Sequence, residues 1–116
     1  MPGAPDWPDE LDALIAAPVH HTLLFENESV RVLDTKVEPG QTVPLHTHRW
    51  SNASYLLSWS HFVRRDLNGN ITLDTRNLPH LPVGTALWSS PLPPHTLENV
   101  GDSELHVISV ELKTPS

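Results

Sequence analysis

His46 and His48 stand two residues apart in Pro44-Leu45-His46-Thr47-His48, a spacing that suits metal chemistry. On a β-strand, side chains i and i+2 point to the same face, so two such imidazoles can grip one ion. Far downstream, His95 sits in Pro93-Pro94-His95-Thr96-Leu97-Glu98-Asn99. Neutral imidazole is a common metal ligand and suits iron, zinc, copper and nickel. The chain has no cysteine, which excludes disulfides and thiolate sites, so any metal must be held by nitrogen and oxygen.

Strands are needed to position these residues, and the sequence supplies them. Alternation of period two marks strands over 20–26, 30–38, 42–48, 53–59, 61–66, 71–74, 85–89, 95–100 and 104–112. Asn68-Gly69-Asn70 between two such runs is a hairpin signal, because Asn-Gly supplies the positive φ of a tight turn. Gly101-Asp102-Ser103 and Asn27-Glu28-Ser29 read as further turns. Residues 1–19 read as an N-terminal extension with one short helix. Asp6 or Trp7 would cap it, Pro8 suits its first turn, and Pro18 ends it. Residues 20–116 then form one all-β domain, a sandwich or barrel.

The composition sets outer bounds. At 116 residues the chain is one domain with a single core. A formal charge of −7 argues against nucleic acid and against an anionic membrane surface. No apolar run approaches the length of a membrane span, and the start Met1-Pro2-Gly3-Ala4 lacks the features of a secretory signal. A cytoplasmic location is the expectation.

The spacings resemble those of the cupin superfamily. Its first motif runs Gly, five residues, His-x-His, then three or four residues and Glu. Gly40 precedes His46-Thr47-His48 by that interval. Its second motif opens on Gly, with His eleven residues later and Asn four beyond that. Gly84, His95 and Asn99 match. Two departures stand out: the Pro-x-Gly turn is replaced by Ser90-Pro91-Leu92-Pro93, and the positions expected for the glutamate hold Asn52 and Ala53. The resemblance implies a jelly-roll β-barrel holding a divalent metal on His46, His48 and His95, and a homodimer. Without the carboxylate, the set is similar to that of the acetylacetone-cleaving (β-diketone) dioxygenases, which implies Fe(II). Zinc, nickel, manganese and copper remain open.

Such a site keeps open coordination for a chelating small molecule. The resemblance thus implies a non-haem iron dioxygenase acting on a small β-dicarbonyl-type substrate. A metal-dependent isomerase or lyase, with Tyr55, His61 or His106 as base, is the first alternative. A non-catalytic metal- or ligand-binding protein is the second. Candidate additional or supporting groups are Gln41, Asn52 and His106. Candidate pocket residues are Arg49, Trp50, Tyr55, Trp59, Trp88 and Leu97, with Arg49 either holding an anionic group or simply solvated at a strand end. His20, His21, His61 and His80 read as structural or solvated, Asn99 as a group that satisfies backbone at a strand end, and Arg64-Arg65 as part of a strand with one exposed face.

Overall fold

The computed structural model describes residues 6–113. Nine strands follow two short helical turns. They are β1 (His21–Glu26), β2 (Val30–Val37), β3 (Thr42–His48), β4 (Asn52–Ser58), β5 (Phe62–Asp66), β6 (Ile71–Asp74), β7 (Ala86–Ser89), β8 (Leu92–Asn99) and β9 (Leu105–Leu112). They pair into a five-stranded sheet, β1-β2-β9-β4-β7, and a four-stranded sheet, β3-β8-β5-β6. Every pairing is antiparallel.

The two sheets face each other without closing, so the expected barrel is corrected to an open sandwich. Alternation cannot distinguish these forms, since both bury one face of every strand. The expected N-terminal helix is smaller than the sequence suggested. It is a 3₁₀ turn, Asp9–Leu11, followed by a single α-turn, Ala13–Ala16. The cap is Asp12, whose side chain accepts from the Leu14 amide at 3.1 Å, and not Asp6 or Trp7. Residues 1–5 of the expected extension lie outside the described residues.

Local chemistry explains the strand ends. Gly69 adopts φ +84° in the β5–β6 hairpin, and Asp66 Oδ1 accepts from the Asn68 and Asn70 amides. β8 begins at Leu92 rather than His95 and so contains Pro93 and Pro94. Its pairing with β5 ends at His95, which leaves the two prolines no ladder bond to break on that side. Pro44 is tolerated because β3 is an edge strand.

Between the sheets, Ala17, Val37, Val43, Leu56, Phe62 and Leu105 form the apolar core. Asn99 is buried at the end of β8 and ties three segments together. Its Nδ2 donates to Val37 O and Ser103 O, and its Oδ1 accepts from Ser60 Oγ and the Gly101 amide. Among the described residues, no helix is long and apolar enough to cross a membrane.

Candidate metal centre

β3 and β8 bring three histidines together. His46 pairs directly with His95 across the two strands, and their ring centroids lie 4.2 Å apart. The His48 ring is 5.0 Å from His46 and 5.8 Å from His95. A fourth ring joins them from the opposite sheet. His21, at the start of β1, stands 5.0 Å from His46 and 5.3 Å from His48. One ring nitrogen from each of His21, His46 and His48 lies within 4.8 Å of the other two. Expected to be structural or solvated, His21 is instead brought by the fold into the cluster.

All four rings are held in the same tautomer. His46 Nδ1 is 2.7 Å from Pro44 O, His95 Nδ1 is 2.7 Å from Pro93 O, and His21 Nδ1 is 3.0 Å from Ala17 O. A carbonyl only accepts, so each Nδ1 carries the proton and donates it. His48 Nδ1 donates likewise to Glu111 Oε2 at 3.0 Å. In a neutral ring held this way, Nε2 is left with a free lone pair. A metal-ligating histidine almost always has its other nitrogen committed to an oxygen in this way.

Electrostatics keeps the lone pairs free. Burial pushes the His46 imidazole down to about 2, with His95 and His48 adding to the effect. Burial likewise holds His95 at about 3 and His21 at about 4. At neutral pH these are neutral bases, ready to coordinate a cation. The residues present thus fit a divalent metal by donor type and protonation state.

Behind His48 lies a buried chain of charge. Glu111 is completely buried and accepts from Arg31 Nε at 2.6 Å. Arg31 donates both terminal nitrogens to Asp12, each at 3.0 Å. Burial alone would raise the Glu111 and Asp12 carboxyls. Hydrogen bonds from His48 and Arg31 and the Arg31 charge on Glu111, and Arg31 on Asp12, hold both below the ordinary carboxylate range. Asp12 also caps the α-turn, so the N-terminal segment is wired to His48 through two ion pairs. Neither Arg31 nor Glu111 was singled out in the sequence. Their signal was weak: single charges on strand faces that are otherwise uncharged, Arg31 with Leu33, Thr35 and Val37, and Glu111 with Leu105, Val107 and Ser109.

The histidines open onto a cavity of about 340 Å³ between the sheets. Asn52, Trp59, Trp88 and Leu97 line it, together with Phe62, Leu56 and Arg64. Trp88 is 62% exposed and so stands at the rim. Asn52 is buried there with its Oδ1 accepting from Ser54 Oγ.

Five other expectations are corrected. Arg49 lies outside the cavity and pairs with Asp9 at 2.6 Å and Trp7 O at 3.2 Å. Trp50 stacks against Arg31 and Arg49 instead of lining the cavity. Tyr55 is 51% exposed, because its strand turns Ser54 and Leu56 inward. Gln41 is exposed in the β2–β3 turn, where its Oε1 accepts from the Glu38 amide. His106 projects from the outer face of β9 and pairs with Asp34 at 2.9 Å, since Leu105 and Val107 take the inner face. His61 and His80 stack edge to face beside a separate surface hollow. His20 bonds Lys36 O near the β1 edge.

No protein-family model matches the sequence, and no curated protein matches it. Solved structures do match in shape. A cupin domain from Bordetella pertussis superposes with a TM-score of 0.64 at 19% identity, over 81% of this chain and 92% of that one. A RmlC-like cupin family protein with a double-stranded β-helix fold, from Methanocaldococcus jannaschii, gives 0.57 at 11% identity, over 80% and 78%. The polyketide cyclase RemF from Streptomyces resistomycificus gives 0.53 at 16% identity, over 81% and 64%. With its two facing antiparallel sheets and the histidines between them, this chain has the cupin, or double-stranded β-helix, fold.

Proposed function

We propose that this protein is a metal-dependent oxygenase of small chelating molecules, with a divalent ion, Fe(II) in the working enzyme, held by Nε2 atoms of His46, His48, His95 and His21. The observation that carries the reading is the shared orientation: four clustered imidazoles, each with Nδ1 engaged by an oxygen, three of them buried and held neutral. Among the described residues, no acidic side chain lines the cavity, so an all-nitrogen donor set leaves the ion its full positive charge. When bound, Fe(II) supplies binding and activation of dioxygen beside a chelating substrate.

The residues do the rest. Glu111 fixes the His48 ring and makes it a stronger donor. Leu56, Phe62, Trp59 and Leu97 exclude water and shape a space for a small molecule. The isomerase or lyase alternative is disfavoured by its missing base. Tyr55 and His106 face away from the cavity, and His61 belongs to another hollow.

The test is oxygen consumption by the iron-loaded protein across a panel of small β-dicarbonyls. Uptake that disappears in His46→Ala is expected. A fully iron-loaded protein that consumes no oxygen with any of them contradicts the oxygenase reading.

A further inference from the structure

The chain has five arginines, and four have carboxylate partners: Arg31 with Asp12 and Glu111, Arg49 with Asp9, Arg65 with Glu98 and Arg76 with Asp74. Arg64 is the exception among the described residues. It sits on β5 opposite Leu97, two residues along β8 from His95 and on the same inward face. It lines the cavity that the histidines open onto, and its guanidinium lies 5.8 Å from the Phe62 ring. Arg64 Nε is shut off from solvent with no acceptor. Trp59 Nε1, on another residue lining the same cavity, is in the same state.

A buried donor without a partner costs roughly 1–3 kcal/mol, and more when charged. Burial pushes the Arg64 guanidinium below its ordinary value, and its charge is felt at His95. An apolar residue would fill this space at less cost. Among the described residues, the cavity wall holds this one formal cation and no anion, and its two orphaned groups are both donors. What is missing is an acceptor that carries negative charge.

We propose that the cavity binds a small oxo-carboxylate, its carboxylate on the Arg64 guanidinium and its oxo group toward the histidine cluster. This deepens the reading of the site as a metal centre and rests on it for the role of the oxo group. The carboxylate contact rests on Arg64 alone. A guanidinium offers a carboxylate two parallel hydrogen bonds, which a neutral ketone oxygen cannot match. The substrate class is therefore an anionic oxo acid rather than a neutral diketone.

Acetoacetate and acetylacetone are suitable probes, because they differ by a carboxylate in place of an acetyl group. Binding is measured calorimetrically on chelator-treated protein and again after metal loading. Metal-free wild type is expected to bind acetoacetate more tightly than acetylacetone, and acetoacetate alone is expected to raise its melting temperature. Arg64→Gln is expected to weaken acetoacetate about 10- to 100-fold, the worth of a charge-assisted contact, and to leave acetylacetone and metal content unchanged. Arg64→Lys keeps the charge but loses the fork, so it should retain part of the affinity. Equal affinity of metal-free wild type for the two probes overturns the proposal whether or not any variant folds. So does an Arg64→Gln protein that binds acetoacetate as wild type does. If the loaded protein holds no metal yet Arg64-dependent acetoacetate binding persists, the metal reading fails and the carboxylate site stands.

Discussion

Glu111 shows how much of the site depends on residues that would never touch an ion. Its carboxylate takes one hydrogen bond from His48 and one from Arg31, and it is fully buried. Replacing it with Gln keeps the shape and removes the charge. Metal affinity should fall about 10- to 100-fold, as is typical when such a supporting group is changed. Competition with a chromophoric chelator measures this, and unchanged affinity would mean that Glu111 serves packing alone. At this scale the sequence was legible where local spacing was enough. His46 and His48 announce themselves by their interval, and His95 by its place in the second motif. His21 was not legible, because it reaches the cluster from the other sheet. His20 beside it is chemically identical, and alternation alone cannot say which of two adjacent histidines turns inward. Arg49 and Arg64 were not legible for the same reason. Both were arginines near strands, and only the fold shows that Asp9 neutralises one while the other faces the cavity.

Among the elements, the strands and turns were read closely, since period-two alternation and Asn-Gly carry local information. The ends of β8 were less legible, because the prolines at 93 and 94 are allowed only by where pairing with β5 stops. Asn99 is the clearest element-scale test. Its side chain serves the β8–β9 turn, Val37 O at the end of β2, and Ser60 before β5. Asn99→Ala orphans several buried groups at once and should cost about 2–4 kcal/mol of stability, measured by denaturant unfolding. Gly101 in the same turn is constrained by space. An added Cβ would meet Ser60 Oγ at 2.1 Å and the His61 amide at 2.9 Å. Gly101→Ala should lose about 1–3 kcal/mol, and a variant as stable as wild type would show that the turn yields.

For the whole molecule, closure was the feature that the sequence could not specify. Whether two sheets join at their edges depends on long-range pairing, and the alternation is the same either way. Burying neutral histidines between the sheets has a global consequence. The folded pKa values of His46, His95 and His21, at about 2, 3 and 4, lie below the unfolded value of 6.5. Below pH 6.5 the unfolded chain takes up protons that the folded one refuses, so stability is full above that pH and falls as the pH drops. Each group contributes up to roughly 1.4 kcal/mol per pH unit, until its folded pKa is reached. Glu111 and Asp12, held low by their partners, add to the loss in acid. Metal-free protein should therefore melt at steadily lower temperature from pH 6.5 to 4, and metal-loaded protein should resist until protons displace the ion. A flat profile for the metal-free form would contradict the buried, neutral assignment. The central claim is that these histidines hold a metal. It is tested most directly by elemental mass spectrometry on untagged protein after loading and desalting, beside His46→Ala and His21→Ala. The account predicts near-stoichiometric divalent metal in wild type, none in His46→Ala and a reduced content in His21→Ala. Wild-type protein that retains no metal, or a His46→Ala variant that retains as much, would contradict it.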